Sequence, residues 1–294
     1  MNLTAVVQSI RVPFLVLTPV CVFLGASTVA TSETNISLLL LVLLGALLAH
    51  ISVNALNEYS DFKSGLDLKT TRTPFSGGSG ALPGNPEMST AVFAVGAVSL
   101  MATLVIGGYF VWKYGAGIVP IGVAGLILIV TYTDRINRFP FLCLIAPGIG
   151  FGFLMVVGTQ FVLQGEYAPL SLLVATVPFF LVNNLLLLNQ YPDIEADASV
   201  GRNHFPIAYG VSRSNLAYAI FALATSAIIV IYVLLGYLPA MSYIALLPMP
   251  LAFLALYGAI KYRENIGNYP HYLGANVGVA ILAPLLLGLS IMIG

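Results

Sequence analysis

The stretch that decides the fold is residues 36–67, which reads ISLLLLVLLGALLAHISVNALNEYSDFKSGLD. Its first part is an apolar run long enough to cross ~30 Å of hydrocarbon, which needs about 20 residues as a helix. Its last part carries asparagines and aspartates. The pattern therefore predicts a transmembrane helix with a polar, acidic end.

The composition extends this interpretation to the whole chain. Of 294 residues, 59% are hydrophobic and only 7% are charged, whereas a soluble domain has roughly 25% charged residues. This balance excludes a cytosolic enzyme, a secreted disulfide scaffold and a nucleic-acid binder with a basic surface. Cys21 and Cys143 lie in apolar runs, which is typical of small core residues rather than a disulfide or a metal site.

Nine apolar stretches are long enough to span a bilayer: Val12–Ala30, Ile36–Tyr59, Thr90–Trp112, Ala116–Tyr132, Phe141–Leu163, Pro169–Gln190, Asn215–Gly236, Met241–Tyr262 and His271–Ile293. The first could be a cleaved signal peptide, but its length and the eight later spans favour a permanent helix. We therefore predict an all-α polytopic membrane protein, with nine transmembrane helices in a bundle around a central chamber. We expect residues 1–294 to form a single domain.

The basic residues orient the predicted bundle. With nine spans, ten of the eleven basic residues fall on one side: Arg11, Lys63, Lys69, Arg72, Arg135, Arg138, Arg202, Arg213, Lys261 and Arg263. Only Lys113 falls on the other side. By the positive-inside rule, the N-terminus and the two long connections, residues 60–89 and 191–214, are cytoplasmic, and the C-terminus lies on the opposite side. This is an integral protein of the cell membrane or inner membrane.

A short acidic motif occurs twice. Asn-x-Tyr-x-Asp spans 57–61 at the end of the second predicted helix and recurs 132 residues later, at 189–193, at the end of the sixth. Recurrence at equivalent topological places indicates two similar helical halves. Ordinary charged helix ends are the alternative, but they do not explain the repeat.

The spacing of these polar residues indicates a shared chemical task. Four of them fall on one helical face: His50, Asn54, Asn57 and Asp61. Three more, Asn189, Asp193 and Asp197, share a face if the helix continues past Pro192. Carboxylates near a bilayer are costly, and converging ones repel one another, which a divalent cation relieves. Oxygen ligands of this kind suit Mg²⁺ with a substrate phosphate, so the motifs predict a Mg²⁺–diphosphate site.

At these motifs the chain resembles the UbiA superfamily of intramembrane prenyltransferases. That family has nine transmembrane helices and two Asp-rich motifs, on or after helices 2 and 6. The five residues between Asp61 and Asp67 resemble the 1,4-dihydroxy-2-naphthoate branch of menaquinone synthesis more than the 4-hydroxybenzoate branch. Glu58 and Ala198 depart from the family pattern, at positions where Asp and a basic residue are usual.

The resemblance implies Mg²⁺-dependent transfer of a polyprenyl group from an allylic diphosphate to an aromatic acceptor in quinone biosynthesis, at the cytoplasmic side. The implied metal ligands are Asn57, Asp61, Asp67, Asn189, Asp193 and Asp197. The implied catalytic residues are Asp61, Asp67, Asp193, Asp197 and Tyr132, which matches a family tyrosine after helix 4. The candidates for binding the diphosphate are Lys63, Arg72, Arg135, Arg138, Arg202 and Asn54. The partners expected are these two substrates and the lipid bilayer, with no nucleic acid.

Several residues have an equally simple structural interpretation. The Gly/Ser-rich loop 72–80 could form an anion-binding nest or be a plain flexible loop. We expect His50 to be a buried histidine bonded to a neighbouring helix, and Asn183 and Asn184 to form interhelical hydrogen bonds. Asn203 and His204, next to Arg202, could bind the diphosphate, but we expect them to lie in a solvated loop.

Other functions stay open at this stage. The acceptor could be 4-hydroxybenzoate, a glycerol-phosphate lipid or a tetrapyrrole, and a UbiA-type terpene cyclase needs no aromatic acceptor. A cation-coupled transporter is the non-enzyme alternative, but its acids are expected near the bilayer midplane. Here the acids lie at span ends, which favours an enzyme.

Overall fold

A computed structural model describes residues 3–294, and every regular element in that range is helical. The α-helices are α1 Leu3–Ser9, α2 Leu17–Ser27, α3 Ile36–Lys63, α4 Ala81–Gly84, α5 Ser89–Tyr114, α6 Val119–Thr131, α7 Pro140–Gly148, α8 Gly158–Gln164, α9 Pro169–Asn189, α10 Ile194–Ser199, α11 Phe205–Leu234, α12 Met249–Tyr262 and α13 Pro270–Ile293. Short 3₁₀ turns join many of them. The prediction of an all-helical protein is confirmed.

Seven helical segments in this range are long and apolar enough to cross a membrane: Ile36–Lys63, Pro86–Thr131, Pro140–Gln164, Pro169–Ser199, Phe205–Leu234, Ala240–Asn268 and Pro270–Ile293. The pair Leu3–Ser9 and Val12–Ser27, bent by 46°, makes an eighth if it is one span. The chain is therefore an integral membrane bundle of seven or eight such segments. The expected number was nine. Eight result because Pro86–Thr131 counts as one segment of 46 residues, and seven if the bent first pair is not a span.

Helix α3 carries the first motif as one unbroken element. Asn35 caps its N-terminus by accepting a hydrogen bond from the backbone of Leu38 at 3.1 Å. The helix then continues through 28 residues to Lys63, beyond the end of the apolar run. Gly65 follows in the left-handed region (φ 75°), and the short 3₁₀ helix Leu66–Leu68 holds Asp67. This turn explains how two aspartates six positions apart reach the same cavity.

The fifth predicted span is irregular in its middle. Residues Ile149–Val157 form a π-helix between α7 and α8, directly after Pro147, which interrupts the hydrogen-bond ladder. Gly148 and Gly152 let this segment approach α9, since a Cβ on Gly148 would lie 2.2 Å from the carbonyl oxygen of Phe179. Gly148 and Gly152 therefore serve close packing against α9.

The helices enclose one large cavity. The main hydrophobic core lies among α2, α9, α11, α12 and α13, and a second cluster lies among α2, α3, α5 and α8. Large apolar side chains such as Leu40, Val98 and Leu223 remain exposed on the outer faces of the helices. A bundle in lipid needs this outward apolar surface. The cavity between the two clusters contains the candidate site.

Candidate active site

The cavity has a volume of about 650 Å³, and both acidic motifs lie in its wall. All four predicted catalytic aspartates line it: Asp61, Asp67, Asp193 and Asp197. Its remaining wall is mainly apolar and extends along the bundle to residues such as Val42, Phe110 and Val162. The structure thus brings the two distant motifs to one space that is acidic in one part and apolar in the rest.

The first motif presents one face of α3 to this cavity. His50, Asn54, Asn57 and Asp61 all line it, as their spacing predicted. The amide of Asn57 donates to the hydroxyl of Thr133 at 3.2 Å, and that of Asn54 donates to the carbonyl oxygen of Ile10 at 2.9 Å. These bonds fix both amides against neighbouring segments, so their orientation is set before any ligand binds.

The second motif reaches the cavity although its helix is interrupted. Helix α9 ends at Asn189, a 3₁₀ turn covers Tyr191–Asp193, and α10 begins at Ile194. Asn189, Asp193 and Asp197 nevertheless line the same cavity. The helix does not continue unbroken past Pro192, because proline lacks the backbone donor and the chain tightens around it. The shared face is preserved by the short turn.

The Gly/Ser-rich loop bridges the two motifs. The backbone of Gly77 donates to Oδ2 of Asp193 at 2.9 Å, and the backbone of Ser79 donates to Oε2 of Glu58 at 3.1 Å. The hydroxyl of Ser79 also bonds the other oxygen of Glu58. Gly77 and Gly78 have positive φ values, a conformation that glycine adopts without strain. The loop is therefore hydrogen-bonded to carboxylates of both motifs.

Two arginines bring positive charge to the cavity wall. Arg202 bonds Oδ1 of Asp61, and its Nη1 lies 2.9 Å from Oδ1 of Asp197. Arg11 places Nη2 3.3 Å from both Glu58 and Asn57. Glu58 is completely buried and Asp61 nearly so. Buried carboxylates need such counter-charges, because isolated charges are costly away from water.

The residues predicted from sequence to bind a diphosphate separate into two groups. Arg202 lines the cavity, as does Asn54. The others do not: Lys63, Arg72, Arg135 and Arg138 are exposed outside it. Lys63 instead lies over the ring of Tyr59, and Arg72 lies against Gly80. Their proposed contact with a diphosphate stays a prediction, and in this conformation they are not positioned to make it.

Unpartnered polar atoms concentrate at the cavity. Of the buried side-chain nitrogen and oxygen atoms without a hydrogen-bond partner in residues 3–294, most belong to residues of its wall: Arg11 Nε, Asp67 Oδ2, Asn137 Oδ1, Asn189 Oδ1, Asp193 Oδ1 and His204 Nδ1. Such atoms are rare in native structures and call for a partner. Carboxylate and amide oxygens among them are ligands that Mg²⁺ prefers, so the donor set fits this ion.

No group of three or more Asp, Glu, His or Cys side chains within the described part of the chain is arranged to hold a metal ion. Mg²⁺ in proteins usually has one or two carboxylate ligands and takes its other oxygens from water and substrate phosphate. The amide oxygens of asparagine supply further ligands.

The electrostatics of Asp67 reflect the same crowding. Burial, reinforced by the nearby carboxylates of Glu58 and Asp61, raises the pKa of Asp67 from 3.8 to about 7. An acid with a pKa near neutrality carries a charge that is costly in this place. A cation bound in the cavity would lower that cost.

Sequence reasoning missed three residues of the site. His204 was expected in a solvated loop, but it is buried and bonds Asp197, so that prediction is wrong. Arg11 was counted only for topology, and Glu58 only as a departure from a pattern. Glu58 lies four residues after Asn54 and three before Asp61, so helical spacing could have placed it next to that face. No local signal identifies the other two.

Other expectations are confirmed. Nδ1 of His50 lies 2.8 Å from the hydroxyl of Thr18 on α2. The side chain of Asn183 accepts from the backbone of Gly148, and that of Asn184 donates to the carbonyl oxygen of Tyr218. Tyr132, at the C-terminus of α6, lines the cavity as well. Its catalytic role stays a prediction.

Comparisons with known proteins identify a family and a fold. The model of the UbiA prenyltransferase family matches residues 17–272. The 1,4-dihydroxy-2-naphthoate octaprenyltransferase of Haemophilus influenzae is 23% identical over 261 residues, which are 87% of this chain and 84% of that protein. A UbiA homologue from Archaeoglobus fulgidus, solved with DMAPP and Mg²⁺, has a TM-score of 0.71 at 13% identity and covers 98% of both chains. A UbiA homologue from Aeropyrum pernix K1, solved without ligand, has a TM-score of 0.67 at 15% identity, covering 96% of this chain and 98% of its own. These structural likenesses concern the fold.

Proposed function

Because the chain belongs to the UbiA prenyltransferase family, we propose that it transfers a polyprenyl group from an allylic polyprenyl diphosphate to 1,4-dihydroxy-2-naphthoate or a similar aromatic acceptor. This reaction belongs to quinone biosynthesis. The observation that carries the proposal is the single cavity, which joins unpartnered oxygens of both motifs to a long apolar wall. The naphthoate acceptor rests on the relative from Haemophilus influenzae. Membership of an enzyme family removes the transporter alternative.

Mg²⁺ is the proposed cofactor. Asn57, Asp61 and Asp67 would hold one ion, and Asn189, Asp193 and Asp197 a second. Bound there, the ions would neutralise charge on the departing diphosphate. Two observations support this assignment: unpartnered oxygens of Asp67, Asn189 and Asp193 lie in the wall, and a neighbouring fold was solved with Mg²⁺.

Other side chains of the cavity would bind the diphosphate, accept the proton and exclude water during the reaction. Arg202 and Arg11 lie where a diphosphate would be bound, and Arg202 can bond it with the paired donors of a guanidinium. The allylic C–O bond breaks, and its electron pair leaves with the diphosphate. An aromatic ring carbon then forms a C–C bond to the carbocation, and its proton passes to a cavity carboxylate or to water. The apolar wall keeps bulk water from the carbocation.

We also assign nine transmembrane spans, although only seven or eight segments of the described chain are each long and apolar enough to cross a membrane. A straight helix of 46 residues would measure about 69 Å, more than twice the ~30 Å core. Gly115 interrupts Pro86–Thr131 with φ 70° and ψ −154°. Just before the start of α6, the hydroxyl of Tyr167 donates to the carbonyl oxygen of Gly117. Just after its end, the hydroxyl of Thr133 accepts from the amide of Asn57. These contacts support a return of the chain at Gly115.

Orientation follows from the basic residues. The proposed N-terminus and active site face the cytoplasm, and the C-terminus lies opposite, because the basic loops belong inside. Single cysteines at Ser64 and at Ala116, both exposed, test this in sealed inside-out vesicles. An impermeant maleimide should label the first and not the second. Equal labelling of both would contradict the nine-span topology.

The reaction itself is tested with purified protein, Mg²⁺ and polyprenyl diphosphates of several lengths. Diphosphate release that requires 1,4-dihydroxy-2-naphthoate, with a prenylated product by mass spectrometry, supports the proposal. Release that requires 4-hydroxybenzoate, a glycerol-phosphate lipid or a tetrapyrrole would change the acceptor. Release without any acceptor, with a cyclic product, would identify a cyclase. Asp61→Asn and Asp193→Asn should each abolish release, and Tyr132→Phe tests the predicted role of that tyrosine.

A further inference from the structure

His204 is a buried histidine beside the second motif that the proposed reaction does not use. Only 1% of its surface is exposed, and its Nε2 lies 2.9 Å from Oδ2 of Asp197. The other oxygen of the same carboxylate accepts from Arg202 at 2.9 Å. Asp197 is thus held at both oxygens, which fixes the orientation of its carboxylate.

The chain between these residues is folded to produce this contact. Arg202 donates a backbone hydrogen bond to the carbonyl oxygen of Asp197, and Asn203 donates one to the carbonyl oxygen of Asn137. Gly201 takes a positive φ of 81°, which turns the chain back. His204 then precedes the first residue of α11, so the start of a long helix anchors its ring.

Arg202 and His204, the two hydrogen-bond partners of Asp197, differ in the other contacts that they make. Arg202 is shared with Asp61 and carries the charge that would attract a diphosphate. Among residues 3–294, His204 forms its side-chain hydrogen bond with Asp197 alone, and its Nδ1 has no partner. A buried nitrogen without a partner costs stability, so packing alone does not explain a histidine here.

We propose that His204 is a positioning residue for Asp197. Its hydrogen bond holds the carboxylate with one edge toward the cavity, so that a divalent cation meets a pre-oriented ligand. Such partners of ligating groups typically change metal affinity or activity by 10–100-fold when they are removed. This role rests on the proposed function to the extent that Asp197 is a metal ligand.

Two substitutions of His204 by an amide side chain differ in whether the new amide can reach Asp197. The amide nitrogen of His204→Gln can occupy the place of Nε2, whereas that of His204→Asn is too short to reach Asp197. Asparagine is a favoured residue at the N-cap of a helix, but His204→Asn also leaves the buried Oδ2 of Asp197 without its partner. The Tm of each variant in EDTA is therefore measured beside its metal affinity, so that a loss of affinity is separated from a loss of stability.

The test measures cation binding apart from turnover. Mn²⁺ binding to the purified full-length protein is followed by electron paramagnetic resonance, and Mg²⁺ by the rise in Tm with inorganic diphosphate present. We expect His204→Asn to weaken binding by about 10–100-fold and His204→Gln to retain most of it. The control is His271→Asn, since His271 is exposed and lies outside the cavity.

Binding within twofold of wild type in His204→Asn would overturn the proposal, as would equal losses in the Asn and Gln variants. Wild-type protein that binds Mn²⁺ but prenylates no aromatic acceptor would overturn the proposed function alone. In that case a weaker affinity in His204→Asn would still support the positioning role. A wild-type protein that binds neither cation would overturn both.

Discussion

Arg202 donates a hydrogen bond to Oδ1 of Asp61, which lies 141 residues earlier in the chain. The same guanidinium bonds Asp197, so one side chain joins the two acidic motifs. Both carboxylates are buried. The charge of Arg202 therefore compensates two acids that would otherwise repel each other.

Replacing Arg202 should destabilise the metal-free protein more than the protein with bound Mg²⁺ and diphosphate. In Arg202→Met the two carboxylates lose their shared counter-charge, and removing one partner of a buried ion pair costs about 3–5 kcal/mol. Mg²⁺ with inorganic diphosphate should restore part of the loss, because the cation can take over the compensation. The measurement is Tm in EDTA and in Mg²⁺ with diphosphate. The matched control is Arg138→Met, since Arg138 is exposed outside the cavity. A loss that is the same in both conditions would contradict this account.

The Glu58–Ser79 contact should anchor the Gly/Ser-rich loop. In Glu58→Ala the backbone and hydroxyl of Ser79 lose their acceptor and Arg11 loses its ion pair. Leaving buried donors without partners costs about 1–3 kcal/mol, which corresponds to a fall in Tm of about 2–4 °C for each kcal/mol. Proteolysis within residues 72–80 should accelerate as well. Glu87→Ala, at an exposed position, is the control, and an unchanged cleavage rate in Glu58→Ala would disprove the anchoring role.

The apolar wall should limit the length of the donor. Gly122 lines the cavity, and a Cβ there would meet no atom within 4 Å. In Gly122→Leu the new side chain enters this space, so kcat/KM should fall more for long polyprenyl diphosphates than for short ones. Gly84→Leu is the control, because Gly84 is exposed and outside the cavity. An equal fall for all donor lengths would show that Gly122 does not set this limit.

The raised pKa of Asp67 predicts a pH effect on stability. A carboxyl whose pKa is 3.8 when unfolded and about 7 when folded binds its proton more tightly in the folded state. Its contribution is fully present below about pH 4 and is lost as the pH rises through 7. In EDTA, Asp67→Asn should therefore raise Tm relative to wild type more at pH 8 than at pH 5. Glu87→Gln should show no such difference. A gain that is independent of pH would mean that Asp67 titrates normally.

Residues of the first motif illustrate what local pattern can predict. Asn54, Asn57 and Asp61 share a cavity wall because the periodicity of an α-helix is a local property of the backbone. For the second motif the same reasoning depended on whether the helix continued past Pro192. The helix is interrupted there, and a 3₁₀ turn restores the alignment of the three residues.

The sequence by itself determined that this chain lies in a membrane as helices, since transfer of long apolar runs into lipid depends on composition and length. It also determined that the carboxylate and amide oxygens of the two acidic motifs lie at the ends of two of these helices. Only the tertiary structure decided that Arg202 and Arg11 face the cavity while Lys63 and Arg138 do not, and that His204 is buried against Asp197. These outcomes depend on contacts between segments far apart in the chain, and a residue's neighbours in sequence carry no record of them.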